Sequence, residues 1–279
     1  MESSKISNSD VSDIEIRNLS DALKAIKEAH KTLGNRLFWR GHADESWKIQ
    51  AEVFRPKQDG NNYNELSLIN NFRAEAESRY SKCPQFDDLA GWLILARHYG
   101  LPTRLLDWTK NPLVAIYFAV YEKYNNKADD KDGCLWSLNL ELLNSYMISN
   151  FKKEEKNLQG LVALDNNIIK ELIIGAFGYK IEKNLPKVLA CGTRHMDARV
   201  LAQQGSFTIH LDDTDLAEID KTFYDGSAPR RWKRKFIIPH AVKKCILFEL
   251  YGLGIRKSTL FPDLGALAED LKRPPETTL

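Results

Sequence analysis

The chain has 279 residues, 43% of them hydrophobic and 28% charged, with a formal net charge of +2. That length and apolar share suffice for a packed core. The near balance of 40 basic and 38 acidic residues gives no bulk-charge argument for a nucleic-acid partner.

No apolar run approaches the ~18 residues that a membrane span needs. The opening MESSKISNSDVSD has neither the basic nor the apolar region of a secretory leader, so a cytoplasmic setting without a membrane is expected. Cys83, Cys134, Cys191 and Cys245 lie far apart and form no CxxC pair. They read as buried free thiols of a reducing compartment, and no metal is expected.

Residues 1–13 are polar and Ser-rich and are expected to be disordered. From Ser20, an N-cap, to Leu33 the spacing of Leu23, Ile26 and Leu33 predicts a helix that Gly34 ends. RLFWRG (36–41) reads as a strand and 47–54 as a second. Leu68, Ile69, Phe72 and Ala76 predict a helix over 64–80, and Leu89, Trp92, Leu93 and Ala96 another over 87–99. Asn111 as cap and Pro112 at the first helical position start a fourth, reaching to Tyr124. The Leu89–Ala96 and Leu113–Val120 stripes are expected to pack on each other and hold a loop between them.

Beyond these, 125–133 reads as a surface loop and 133–140 as a strand. The segment 141–185 is helix-rich, and 206–211, 236–239 and 245–250 are strand candidates, the last open to a helical reading. Helices and strands interleave without a βαβ period. The expectation is an α+β fold: one domain over 14–272, a small mixed or antiparallel sheet with helical insertions, and a loose tail at 273–279.

The stretch before the fourth helix is the most informative. From His98 to Trp108 it holds an imidazole, a phenol, a guanidinium, a carboxylate and an indole, with Gly100 and Pro102 breaking the preceding helix. Such a polar, aromatic loop between apolar helices is costly to bury unless its groups pair with one another or with a ligand.

FWRG (38–41), HYGLPTRLLDWTKNPLVAIYFA (98–119), RVLAQQGSF (199–207) and LFPDLGALAEDLK (260–272) together resemble the FRG domain family, named for a Phe-Arg-Gly-like signature. The order and spacing agree over 36–272. His42 departs from the Gln that usually follows WRG. A second resemblance, of three short elements, is to NAD-dependent ADP-ribosyltransferases, which order an Arg on a strand, a Ser/Thr strand leading into an apolar helix, and a Glu or Gln near a later strand. Arg40, Thr109 and Gln203–Gln204 stand in that order. This resemblance implies an ADP-ribosyltransferase-like fold, NAD as substrate, transferase or NAD glycohydrolase chemistry, and a macromolecular acceptor. Family analogy adds a setting in antiviral defence.

On residue chemistry, Arg40 suits a pyrophosphate through its fork of donors, or else a structural ion pair. His98, Tyr99, Arg104, Asp107 and Trp108 form either a nucleotide pocket or a self-satisfied polar corner in which Asp107 pairs with Arg104. In the pocket, rings would stack on a base, Arg104 would hold a phosphate, and Asp107 would orient Arg104 or a ribose hydroxyl. Thr109 has a local alternative, bonding backbone N–H groups before the Asn111 cap. Of the two glutamines, Gln204 is the one chosen to face the site. A neutral amide there stabilises an oxocarbenium ion poorly compared with a carboxylate, which leaves a non-catalytic nucleotide-, nucleic-acid- or protein-binding module as the alternative.

No HExxH, P-loop, GxSxG or GxGxxG is present. Asp129, Asp130 and Asp132 lack the closing Glu of a calcium loop. PRRWKRK (229–235) is the one basic cluster, and Arg230, Arg231, Lys233 and Arg234 are the residues through which nucleic acid would be held, if the run is more than a solvated lead into a strand.

Overall fold

The structure is a computed structural model, and it describes residues 14–57, 59–121, 130–148, 160–164, 166–180, 185–192, 198–219, 222–225 and 228–272, with backbone only at 198, 200, 222–225 and 228–230. The expected disordered start, the loose tail and most of the 125–133 loop lie outside those residues.

Six strands form one antiparallel sheet in the order β4-β5-β2-β1-β3-β8. They are β1 (Leu37–His42), β2 (Leu105–Thr109), β3 (Gly133–Asn139), β4 (Val188–Cys191), β5 (Gly205–His210) and β8 (Lys233–Ile238). A separate hairpin joins β6 (Thr222–Asp225) to β7 (Ala228–Arg231). The α+β class with an antiparallel sheet is as expected.

Two strand assignments change. The polar stretch read as a loop contains β2, an inner strand in which Leu105, Leu106, Trp108 and Thr109 are buried and only Asp107 is half-buried. Its composition hid it, because the central position carries a charge. The segment 47–54 is not a strand; it ends in a 3-10 turn, Glu52–Phe54. The last candidate takes its helical reading, as α8 (Lys243–Gly252).

One face of the sheet carries two separate helical covers. Over the β2-β5-β4 half lie α2 (Glu65–Ala76), α3 (Leu89–His98) and α6 (Asn167–Ala176), and Trp92, Leu93, Ile169 and Leu172 meet Leu105, Phe207 and Leu189 there. Over the β1-β3-β8 half lie α1 (Leu19–Leu33), α4 (Pro112–Val120) and α8, with Ala25, Val114, Ile116 and Ile246 on Leu37, Trp39, Leu135 and Phe236. The opposite face is covered by a third cluster built from Phe38, Trp108, Trp136, Leu138 and Trp232 together with α5 (Leu140–Ile148).

The α3 and α4 stripes therefore do not pack on each other. Each serves its own half of the sheet, and the space between them stays open.

The caps follow sequence rules. Asn111 accepts from the Leu113 N–H with Pro112 at the first helical position, and Gly34 ends α1 at φ 93°. The α1 N-cap is Asn18 rather than Ser20, since Asn18 accepts from the Asp21 N–H. Gly41 has a packing reason: a Cβ there would stand 1.8 Å from the Ala115 carbonyl oxygen, so α4 lies directly on β1.

Candidate functional site

The sheet is nearly split at its centre. β1 and β3 register over six residue pairs, whereas β1 and β2 register at Trp39–Thr109 alone. Past that pair the strands part, and the gap opens into a cleft of about 320 Å³ between the two helical covers. Its volume falls at the lower end of the range for small-molecule sites.

Arg40 occupies the gap. Strand alternation places it with Phe38 and His42 on the far face, yet its Nη1 donates to the Asp107 main-chain carbonyl at 2.7 Å. Its Nε donates to His42 Nε2 at 3.0 Å, an arrangement that assigns the imidazole proton to Nδ1. His42 is buried, and burial, reinforced by the Arg40 charge, holds its pKa well below the usual imidazole range. It is therefore a neutral acceptor. A glutamine amide oxygen can accept the same bond, which gives a physical account of the His-for-Gln departure. Nη2 of Arg40 is left without a hydrogen-bond partner among the described residues. Burial lowers the Arg40 pKa to about 9, with Asp107 opposing, so the guanidinium stays a cation at neutral pH.

Arg97, in the last turn of α3, ties two acids together. Its Nη1 donates to Glu52 Oε2 at 2.6 Å, and its Nε and Nη2 reach Asp107 Oδ2 at 2.8 and 2.7 Å. Burial alone would lower the Arg97 pKa, but the two carboxylates outweigh it and raise the pKa above the ordinary value. Burial would likewise push Asp107 up, and the Arg97 and Arg40 charges reverse this and hold it down. Asp107 is thus ionised. Each of the two carboxylates spends one oxygen on Arg97 and keeps the other without a partner among the described residues.

The remaining wall is aromatic and apolar: Trp47, half exposed at the mouth, with Phe118 and Val114 from α4 and Phe207 from β5. Arg199, on α7 (Ala198–Gln203), closes one side, where Nη1 donates to the His98 carbonyl and the guanidinium lies 4.3 Å from the Phe261 ring centroid.

Against this geometry the expected residues divide. Arg40, His98, Asp107, Trp108 and Thr109 line the cleft. His98 is buried, with its ring 6.3 Å from that of Phe207. The Trp108 indole N–H donates to Thr208 Oγ1 at 3.0 Å. The Thr109 hydroxyl is committed locally, donating to the Gln203 carbonyl at 2.5 Å and accepting from the Asn111 N–H at 3.0 Å.

Three residues lie elsewhere. Tyr99 is 62% exposed and sets its ring against Tyr80 and Phe72 on the outer surface. Arg104 is buried in an ion pair with Glu65, at 2.7 Å from Nη2 to Oε2, and donates Nη1 to the Leu172 carbonyl. The partner of Asp107 is accordingly Arg97, not Arg104. Gln204 is exposed at φ 47°, in the left-handed turn between α7 and β5, so that Gln203 is the glutamine at the cleft. The strand begins one residue too late to orient the pair as expected. Even Gln203 is engaged, its Nε2 donating to the Leu260 carbonyl.

The basic run also separates. The Arg230 side chain lies outside the described residues, and Arg231 is exposed. Lys233 is buried with its ammonium on the carbonyls of Leu216, Ala217 and Ile219. Arg234 pairs with Glu28.

Sequence reasoning missed Glu52, Arg97, Trp47, Phe118 and Arg199. One signal was present for Arg97, the only charge before the final residue of the otherwise apolar LAGWLILARH helix. Glu52 carried none, because only tertiary folding brings its turn to α3.

The chain is thus an α+β scaffold that opens a cationic and carboxylate-lined cleft in the middle of an antiparallel sheet. Residues 35–128 match the family model described as the FRG domain. The match takes in β1, α2, α3, β2 and α4, and with them Arg40, Glu52, Arg97 and Asp107. The 199–207 and 260–272 blocks lie beyond it. No curated protein and no solved structure matches the chain. Among the described residues no helix is long and apolar enough to cross a membrane, and no group of three or more His, Cys, Asp or Glu is placed to hold a metal ion.

Proposed function

We propose that the cleft is a nucleotide-binding site, with NAD the first ligand to test. The observation that carries the reading is Arg40: a half-buried cation, anchored at two of its three nitrogens, that keeps Nη2 free in a gap walled by aromatic side chains. A held guanidinium loses little freedom when an anion arrives, and it suits a phosphate or pyrophosphate oxygen. Trp47, Phe118 and Phe207 offer ring faces or edges to a planar base.

ADP-ribosyl transfer or NAD hydrolysis is the second reading, favoured by the Asp107 and Glu52 carboxylates that Arg97 holds near Arg40. Thr109 and Gln204 supply less support than their order in the chain implied, since one hydroxyl is already bonded and the other side chain is exposed. Recognition without chemistry is therefore the better supported reading.

Titration calorimetry with NAD, ATP and a short oligonucleotide tests it, alongside an assay for nicotinamide release. Binding of NAD or ATP with micromolar affinity is expected. If neither nucleotide binds, the reading fails; nicotinamide release above buffer would promote the transfer reading over it.

A further inference from the structure

Arg97 holds Glu52 and Asp107 on adjacent edges of one planar guanidinium, Glu52 at Nη1 and Asp107 at Nε and Nη2. Glu52 comes from the 3-10 turn after β1 and Asp107 from the centre of β2, so one side chain of α3 sets the spacing of two carboxylates from separate elements. Each carboxylate keeps one oxygen as an acceptor on the cleft wall. Glu52 and Asp107 side chains are 37% and 38% exposed, so these oxygens face solvent, and a ligand that covers them must supply donors.

What donors fit is limited by the charges around them. Arg97, Arg40 and Arg55 all act on this cluster, so the two negative charges are already matched by cations. A divalent metal would enter a surrounding with no surplus of negative charge. Neutral hydroxyl donors enter without that penalty, and two carboxylates set side by side suit two vicinal hydroxyls.

We infer that the Arg97-held carboxylates of Glu52 and Asp107 read the ribose diol of the ligand, so that the cleft selects ribonucleotides over 2′-deoxyribonucleotides. The inference rests on the nucleotide reading above, with phosphate on Arg40 and sugar on the carboxylates, and adds its substrate class. Arg97 is the positioning residue, since all three of its guanidinium nitrogens are engaged with the two acids and none is left for the ligand.

The test is calorimetric titration of the full chain with ADP, 2′-deoxy-ADP and 3′-deoxy-ADP in the presence of EDTA. A hydrogen bond to a charged group is worth about 1.5–3 kcal/mol, so loss of one hydroxyl is expected to weaken binding roughly 10- to 150-fold. In Glu52→Gln, with folding checked by circular dichroism, the ratio between ADP and its weaker deoxy analogue is expected to fall toward one. The ligand series alone decides the matter if that variant does not fold. ADP and both deoxy analogues binding within about twofold of one another overturns the inference and leaves the nucleotide reading in place. Binding that requires added Mg²⁺ and ignores both hydroxyls overturns it in favour of cation ligation. If none of ADP, ATP and NAD binds, both readings fall together.

Discussion

Arg40 Nη1 donates to the Asp107 carbonyl at 2.7 Å across the gap where β1 and β2 have stopped pairing. A side chain thus takes the place of a main-chain ladder bond. The carbonyl of an inner strand is satisfied, and a cation is fixed at the floor of the cleft by the same contact.

Replacing Arg40 by Ala is expected to abolish detectable nucleotide binding and also to destabilise the fold. It removes the anion anchor and leaves the Asp107 carbonyl and His42 Nε2 short of a donor. A charged hydrogen bond is worth about 1.5–3 kcal/mol, and Arg40→Lys should restore part of the stability but not the forked geometry. Urea unfolding and calorimetry on both variants check this. Unchanged affinity in Arg40→Ala would remove Arg40 from the site.

Glu65→Ala is expected to cost about 3–5 kcal/mol, because it leaves Arg104 buried without its counter-charge. Arg104 and Glu65 are only 8% and 9% exposed, and the carboxylate also accepts from the Arg104 main-chain N–H. The measurement is the urea midpoint at constant slope. A loss below ~1 kcal/mol, the range of surface pairs, would show the pair to be solvated.

Lys233→Met is expected to cost about 2 kcal/mol or more, since three carbonyls lose their donor. With Lys233 internal and Arg234 paired to Glu28, little of the basic run is left for phosphates. Duplex DNA affinity is therefore expected to be weak even at low salt. A salt slope of roughly three to four units, the value for four phosphate contacts, would overturn that expectation.

Acid sensitivity is expected to begin well above the carboxylate range. His210 is fully buried, and burial, with the Arg40 charge, lowers its pKa to about 3, while its Nε2 meets Thr208 Oγ1 at 3.0 Å. The unfolded chain takes up this proton near pH 6.5, whereas the folded protein refuses it until about 3. Stability from His210 is thus complete above 6.5 and is lost progressively as pH falls toward 3, at no more than about 1.4 kcal/mol per pH unit. His42 acts in the same direction. Unfolding free energies at pH 7, 6 and 5 should fall less steeply in His210→Gln than in the wild type. Equal slopes would show that His210 titrates normally in the fold.

What local sequence determined is visible in particular elements. The apolar spacing of 89–96 and 113–120, the Asn111–Pro112 start of α4 and the Gly34 stop of α1 are short-range consequences of helix geometry, and each appears where its residues place it. The FWRG and 98–119 blocks likewise mark the two strands that border the cleft. Local pattern was silent where a contact spans the chain. β2 was hidden because an inner strand with Asp107 at its centre is stable only when Arg97 and Arg40 arrive from α3 and β1. Glu52 belongs to the site only because its turn folds against α3. Gln204 lost its place because β5 starts at Gly205, after a left-handed turn that rotates its side chain outward. Helix starts, stops and faces are settled over a few residues by dihedral and capping preferences. Which charges meet in a buried cleft is settled by long-range pairing, and only the tertiary structure holds that information.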